Sequence, residues 1–105
     1  MGPVSAGRER RRAGRTGPDT AGWRCEAVLR PGVPVRVVDI CPFGVLVECP
    51  TRLRPGRVAE LQLVSADSDR KHTISGRIER CHVVRLQPLG FRGAIAFDAA
   101  LRSPL

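Results

Sequence analysis

The chain of 105 residues, 42% of them hydrophobic, allows one compact domain whose core must be mostly Val, Leu and Ile, because it has three Phe, one Trp and no Tyr. Its 18 basic residues, 17 of them Arg, exceed the 10 acidic residues and give a net charge of +8. No run of about 18 apolar residues is present to span a membrane, and the four cysteines form no C-x-x-C pair, which argues against a zinc site or a disulfide framework and favours reduced thiols in a cytoplasmic protein.

The first 22 residues differ in composition from the rest of the chain. They contain almost no apolar side chains, and an arginine cluster between positions 8 and 15 includes a single acid, Glu9. Such a segment cannot bury enough apolar surface to fold by itself. We therefore expect a flexible basic N-terminal segment over residues 1–22 and a folded domain over residues 23–105.

From Trp23 onward, apolar and polar residues alternate in short runs that are separated by Pro and Gly, which is the pattern of half-buried strands. Six strands with turns at this spacing predict an all-β fold, a small antiparallel barrel or sandwich. Residues 99–105 add at most a short helical turn. The predicted strands cover residues 23–29, 35–40, 45–49, 59–63, 73–79 with an open continuation to 84, and 91–98.

The stretch DICPFG, residues 39–44, joins the second and third predicted strands. Pro42 presets φ for the second position of a tight turn, and Gly44 can adopt a backbone conformation that is closed to other residues. Asp39 then stands at the mouth of a hairpin. Its carboxylate either accepts hydrogen bonds from the backbone of its own turn or binds a ligand, and the turn alone leaves both roles open.

Motifs for catalysis are missing from the sequence. No G-x-G-x-x-G opens a helix and no Walker-type lysine is present. The two histidines, His72 and His82, lie in or beside one predicted strand, and no Ser or Cys has a base at a suitable position. We therefore expect a binding module rather than an enzyme, with no cofactor and no metal.

Three stretches of the chain, ERRRAGR, VRVVDICPFGVLVE and GFRGAIAFD, together resemble the PilZ domain family. The resemblance covers residues 9–98. It implies a six-stranded β-barrel that carries an R-x-x-x-R motif on a flexible N-terminal segment and a [D/N]-x-S-x-x-G motif on the barrel surface. The usual role of that family, as a bacterial receptor for the second messenger cyclic di-GMP, implies signal transduction through a separate partner protein.

The resemblance also implies the ligand-binding residues. Arg11 and Arg15 match R-x-x-x-R and lie closest to the barrel, although a second pair satisfies the same spacing. Cys41 stands where the family has Ser, and because a thiol is a much weaker hydrogen-bonding group than a hydroxyl, any contact with guanine is diminished. The implied set is completed by Arg8 and Arg12, the second arginine pair, and by Asp39, Cys41 and Gly44, which fall on the barrel motif.

The chemistry of cyclic di-GMP suits these residue types. Its two phosphates match bidentate guanidinium groups, and the N1–H and N2–H donors of guanine suit a carboxylate. Two alternatives stay open: a degenerate PilZ-like interaction module that binds no nucleotide, indicated by Cys41, and a basic nucleic-acid binder, indicated by the net charge. Nucleic acid ranks last, because the chain is poor in the aromatic residues on which single-stranded bases stack.

Overall fold

The computed structural model describes residues 17–18 and 21–102 of the chain. Within them the backbone is all-β with no helix, so the last residues described, 99–102, do not form the short helical turn that the sequence allowed. The prediction of six strands is confirmed. The strands are β1 Glu26–Leu29, β2 Val33–Cys41, β3 Gly44–Cys49, β4 Val58–Val64, β5 Lys71–Leu86 and β6 Leu89–Phe97.

The six strands close into an antiparallel barrel in the order β1-β2-β3-β6-β5-β4. Of the two architectures that the sequence left open, the barrel is therefore the one adopted. Closure pairs β1 with β4, so the first strand and the fourth complete the ring. A closed sheet leaves few exposed strand edges, which suits a small domain with a core of aliphatic side chains.

A β-bulge in β2 decides which residues point into the barrel. The register against β3 shifts between Val37 and Asp39, and both Val37 and Ile40 are buried although two residues separate them. Val38 absorbs the shift and is half-buried. Because neighbouring residues in a strand point to opposite faces, Asp39 and Cys41 lie on the outer surface of the barrel.

Trp23 fills one end of the barrel. It precedes β1 and makes an isolated bridge to Ser65, so β1 is shorter than the predicted strand, but the indole is 1% exposed, as expected for a core residue. Its ring meets that of His72 edge to face, with the ring centroids 5.1 Å apart. At the same end, the Leu101 N–H donates to the Pro42 carbonyl (2.7 Å) and the leucine packs against the core.

The other end of the barrel is closed by Leu53, which is buried in the connection between β3 and β4. Its N–H donates to Cys81 Sγ (3.3 Å). Beyond this plug, β5 and β6 continue as a hairpin through the turn at Gln87 and Pro88, so β5 is longer than the expected strand even with its continuation to residue 84. No helix in the described part of the chain is long and apolar enough to cross a membrane.

Candidate functional site

The residues matched to the barrel motif meet on one patch of the outer surface, which we call the β2–β3 face. Asp39 and Cys41 are two residues apart on β2 and point outward, opposite Leu46 and Gly44 of β3. Both are half-buried. The second predicted strand was too short, because β2 continues through Cys41 and the turn consists of Pro42 and Phe43 alone.

Gly44 has a different role from the one expected of it. The described glycines with positive φ are Gly22 and Gly56, so the expectation that Gly44 adopts a conformation closed to other residues is wrong. It is the first residue of β3, and a Cβ there would lie 2.8 Å from the backbone oxygen of Ile95 on β6. The close approach of two strands, and not the turn, requires glycine at this position.

A shallow groove of about 300 Å³ crosses the β2–β3 face. Part of its lining consists of small residues, because β3 pairs with β6 so that Gly44 lies opposite Ala96, and Ala94 lies on the same face of β6. Phe43 stands at its edge with 71% of its surface exposed. Small residues next to an exposed aromatic ring provide a surface on which a flat heterocycle can stack. The groove is lined by Cys41, Phe43, Gly44, Val45, Glu79, Ala94, Ile95 and Ala96.

A row of charged residues runs across the same sheet nearer to the Leu53 end. The register places Arg36 of β2 opposite Glu48 of β3, and Glu48 opposite Arg92 of β6. Arg92 Nη2 donates to Glu48 Oε2, and Arg85 Nη1 lies 3.8 Å from Glu48 Oε1. The hydrogen bond from Arg92, together with the positive charge of Arg92, Arg85 and Arg36, holds the pKa of Glu48 below its ordinary value.

This ion pair gives Arg92 a structural role. Its guanidinium is half-buried and directed at Glu48, and its Nε is buried without a hydrogen-bond partner. The sequence did not single out Glu48. A cross-strand pair separated by 44 residues leaves no local pattern, and the alternation of charged residues along each strand was the one available indication.

The arginines of the proposed R-x-x-x-R motif, Arg8, Arg11, Arg12 and Arg15, lie outside the described residues. The chain that leads to them is tied to the barrel at the end that carries the β2–β3 turn. The Trp23 N–H donates to the Pro18 carbonyl (2.8 Å), and the Val37 N–H donates to the Cys25 carbonyl (2.7 Å). Because β1 and β2 are antiparallel, the residues that precede β1 adjoin the half of β2 that carries Asp39.

The described residues contain neither a cluster of metal ligands nor a disulfide. No group of three or more His, Cys, Asp or Glu side chains is arranged there to hold a metal ion. The four cysteines are thiols without disulfide partners; Cys49 is buried and the other three are half-buried. The β2–β3 face is therefore a surface with a carboxylate, a thiol and a groove, and its features suit recognition of a ligand.

Comparisons of the chain with protein-family models, with curated proteins and with solved structures found no match. The PilZ family accordingly stays a resemblance. It depends on the order and spacing of the two sequence motifs, and it is compatible with the closed six-stranded barrel.

Proposed function

We propose that this protein binds cyclic di-GMP on the β2–β3 face and passes the signal to a separate partner protein. The observation that carries the proposal is the joint placement of Asp39 and Cys41 on the outer surface of β2, with Cys41 lining the groove over Gly44 and Ala96. Residues 23–25, which follow the basic N-terminal segment, join the barrel at the same end. A binding site for an anionic nucleotide needs these two parts next to each other.

In this proposal, the residues on the barrel bind a guanine base of the ligand. Asp39 lies two residues from Cys41 on β2, outside the lining of the groove, and its carboxylate suits the adjacent N1–H and N2–H donors of one guanine in charge-assisted hydrogen bonds. The flat base then lies over the small residues Ala94 and Ala96, with Phe43 at its edge. The groove has a volume at the lower end of ligand pockets, so it takes one base while the rest of the ligand covers the neighbouring surface.

In this proposal, the N-terminal arginines bind the phosphates of the ligand. Arg92 and Arg85 on the barrel are engaged by Glu48, so they supply less positive charge to a ligand than their number indicates. Arg11 and Arg15, supported by Arg8 and Arg12, would provide the bidentate contacts with phosphate oxygens. Ordering a segment costs roughly 1–2 kcal/mol per residue, so several such contacts are needed to offset the cost.

Calorimetric titration of the full chain with cyclic di-GMP tests the proposal. We expect binding by the wild type and a loss of at least about 100-fold in affinity when Arg11→Ala and Arg15→Ala are combined, because each charge-assisted contact contributes roughly 1.5–3 kcal/mol. Asp39→Asn should also weaken binding, since an amide nitrogen would face guanine donors. A wild-type chain that gives no heat and no change in Trp23 emission contradicts the proposal.

A matched control removes the same charge from elsewhere. Arg52 and Arg54 are exposed in the connection between β3 and β4, at the opposite end of the barrel from the β2–β3 turn. Combining Arg52→Ala with Arg54→Ala lowers the net charge by the same amount as the Arg11 and Arg15 pair. If both double variants weaken binding equally, the attraction is a general effect of charge and the proposed contacts are wrong.

The second candidate is a PilZ-like protein-interaction module that binds no nucleotide. Cys41 favours it, because the thiol lines the groove at the position where the family motif has a hydroxyl. Under this alternative the wild type does not bind cyclic di-GMP, and Cys41→Ser creates binding. A Cys41→Ser variant that changes nothing in a protein that already binds would reject it.

A further inference from the structure

The hairpin of β5 and β6 extends past the strands on either side of it. β4 pairs with β5 from Lys71 to Arg77, and β3 pairs with β6 from Phe91 to Ala96. Among the residues that the structure describes, residues 84–90 therefore project beyond the paired part of the barrel, and residues 80–83 of β5 have partners on β6 but none on β4. We call residues 83–89, which form the end of this projection, the hairpin tip.

One face of the hairpin tip is apolar. The register pairs Val83 with Phe91 and Leu86 with Leu89, and residues directly opposite or two apart in a strand share a face. Phe91 is buried in the core next to the Leu53 plug, so this face continues the barrel interior into solvent. The exposed fractions reach 48% at Val83, 77% at Leu86 and 51% at Leu89.

The exposed apolar residues are concentrated at this place. Six large hydrophobic residues are exposed in the described part of the chain, and four of them belong to the hairpin tip. The tip is the end of a two-stranded projection with a two-residue turn, and its Pro88 and Leu89 also line a groove against Glu48 and Cys49 of β3. Contiguous exposed apolar residues mark an interaction surface. The four are Val83, Val84, Leu86 and Leu89.

Arginines lie on the hairpin tip and in the segments next to it. Arg85 lies on its other face, where the guanidinium packs against Gly90. Arg52 and Arg54 are exposed on both sides of Leu53, whose N–H donates to Cys81 Sγ, two residues before the tip. Exposed Arg80 precedes the same cysteine. An acid on this part of the surface, Glu48, is already paired with Arg92.

These features favour one of three possible partners of the tip, which are a second copy of the chain, a strand of another protein and a membrane. Two copies of the chain would bring their arginines together, which opposes self-association. Addition of a partner strand to β5 is disfavoured, because register shifts at Ile78/Arg80 and Val83/Arg85 interrupt a regular ladder. An exposed apolar hairpin end with arginines on it and next to it suits the interface of an anionic membrane, where apolar side chains enter the acyl boundary and cations meet the headgroups.

We propose that the hairpin tip is a peripheral membrane-binding element, which inserts Leu86 and Leu89 into the surface of a bilayer rich in anionic lipid. Arg52, Arg54 and Arg80 hold the tip there by attraction to the headgroup phosphates, and Arg85 contributes less because Glu48 lies 3.8 Å from it. The insertion is shallow and reversible, and no strand crosses the bilayer. The β2–β3 face lies at the other end of the barrel, so it stays accessible to its ligand when the tip is bound.

Sedimentation of the full chain with vesicles tests this proposal. One set of vesicles contains equal parts of phosphatidylcholine and phosphatidylglycerol, and the other contains phosphatidylcholine alone. We expect at least about tenfold tighter binding to the anionic vesicles, since each arginine near such a surface adds attraction. Combining Leu86→Gln with Leu89→Gln should weaken that binding at least about tenfold, because the inserted apolar area is lost.

Two further variants distinguish insertion of the hairpin tip from nonspecific adsorption of the protein to vesicles. Phe43→Gln removes an equally exposed apolar side chain from the opposite end of the barrel and should leave vesicle binding unchanged. Arg52→Gln with Arg54→Gln should weaken binding at low salt and much less at high salt, where charges are screened. Circular dichroism of every variant establishes that it is folded. The basic N-terminal segment is the same in all of them, so its own attraction to anionic lipid cancels when the variants are compared on the same vesicles.

The outcomes are distinct. Equal binding by the wild type and the double leucine variant overturns the proposal, as does an equal loss in the Phe43 variant. Absence of binding to anionic vesicles also overturns it. These measurements contain no cyclic nucleotide, so their result does not depend on the function proposed for the β2–β3 face.

Discussion

Gly44 and Ile95 approach each other so closely that a Cβ on the glycine would lie 2.8 Å from the backbone oxygen of the isoleucine. The contact joins β3 to β6 beneath the groove of the β2–β3 face. Gly44 therefore belongs to the barrel in the first place, and the proposed ligand site is built on it. A substitution at this position acts on stability before it acts on any ligand.

Gly44→Ala should lower the free energy of unfolding by about 1–3 kcal/mol, because the added methyl group forces the backbone of β6 to shift. Urea unfolding followed through Trp23 emission measures the change. Gly32→Ala is the control: its φ is not positive and nothing lies within 4 Å of the added Cβ, so stability should stay the same or rise by up to about 1 kcal/mol. Equal behaviour of the two variants would show that the strands do not meet in this way.

Cys41→Ser should tighten the binding of cyclic di-GMP by roughly three- to tenfold in a wild type that already binds, because a hydroxyl forms a stronger hydrogen bond than a thiol and a typical net contribution is about 0.5–1.5 kcal/mol. Calorimetry with both proteins provides the comparison. Cys25→Ser changes a half-buried thiol that does not line the groove and should have no effect. Weaker binding by the Cys41 variant would contradict a contact between this side chain and the ligand.

Glu48→Gln should destabilise the barrel by about 1 kcal/mol at neutral pH, because Arg92 and Arg85 lose their charged partner. The lowered pKa of Glu48 means that its stabilising effect is present above the ordinary value of 4.5 and is lost as the pH falls through the lower folded pKa. The difference in unfolding free energy between wild type and variant should thus narrow below pH 4.5.

A charge control accompanies the Glu48 experiment. Glu60→Gln removes an acid from an exposed position on β4 and should change stability by less than about 0.5 kcal/mol. Unfolding curves of all three proteins at several pH values supply the data. A difference between wild type and Glu48→Gln that stays constant through the acidic range would disprove the ion pair as its source.

Cys49 should be the cysteine that iodoacetamide modifies most slowly in the folded protein. Burial raises the pKa of its thiol, the S–H donates to the Thr51 carbonyl (3.0 Å), and the thiolate is the reactive form. Mass spectrometry of peptides sampled over time measures the rates. Unfolding in urea should bring all four cysteines to similar rates of modification. If Cys49 in the folded chain reacts as fast as the half-buried thiols, its buried position is contradicted.

The alternation of side chains determined the strands. Val35 and Val37, or Leu61 and Leu63, are recognisable in the sequence because a period of two is a local property of an extended chain with one buried face. The sequence also indicated Asp39 and Cys41 beside the β2–β3 turn, since the turn chemistry of Pro42 is local as well. An all-β domain follows from these residues alone, and the candidate site at that hairpin follows from them together with the resemblance to the PilZ family.

Only the tertiary structure decided how the strands meet. The bulge at Val38, the approach of Gly44 to Ile95, and the pairing of Glu48 with Arg92 all depend on the register between strands. The projection of the hairpin tip depends on where β3 and β4 stop pairing with their neighbours. Register is fixed by contacts between residues far apart in the chain, and a local pattern carries no record of them.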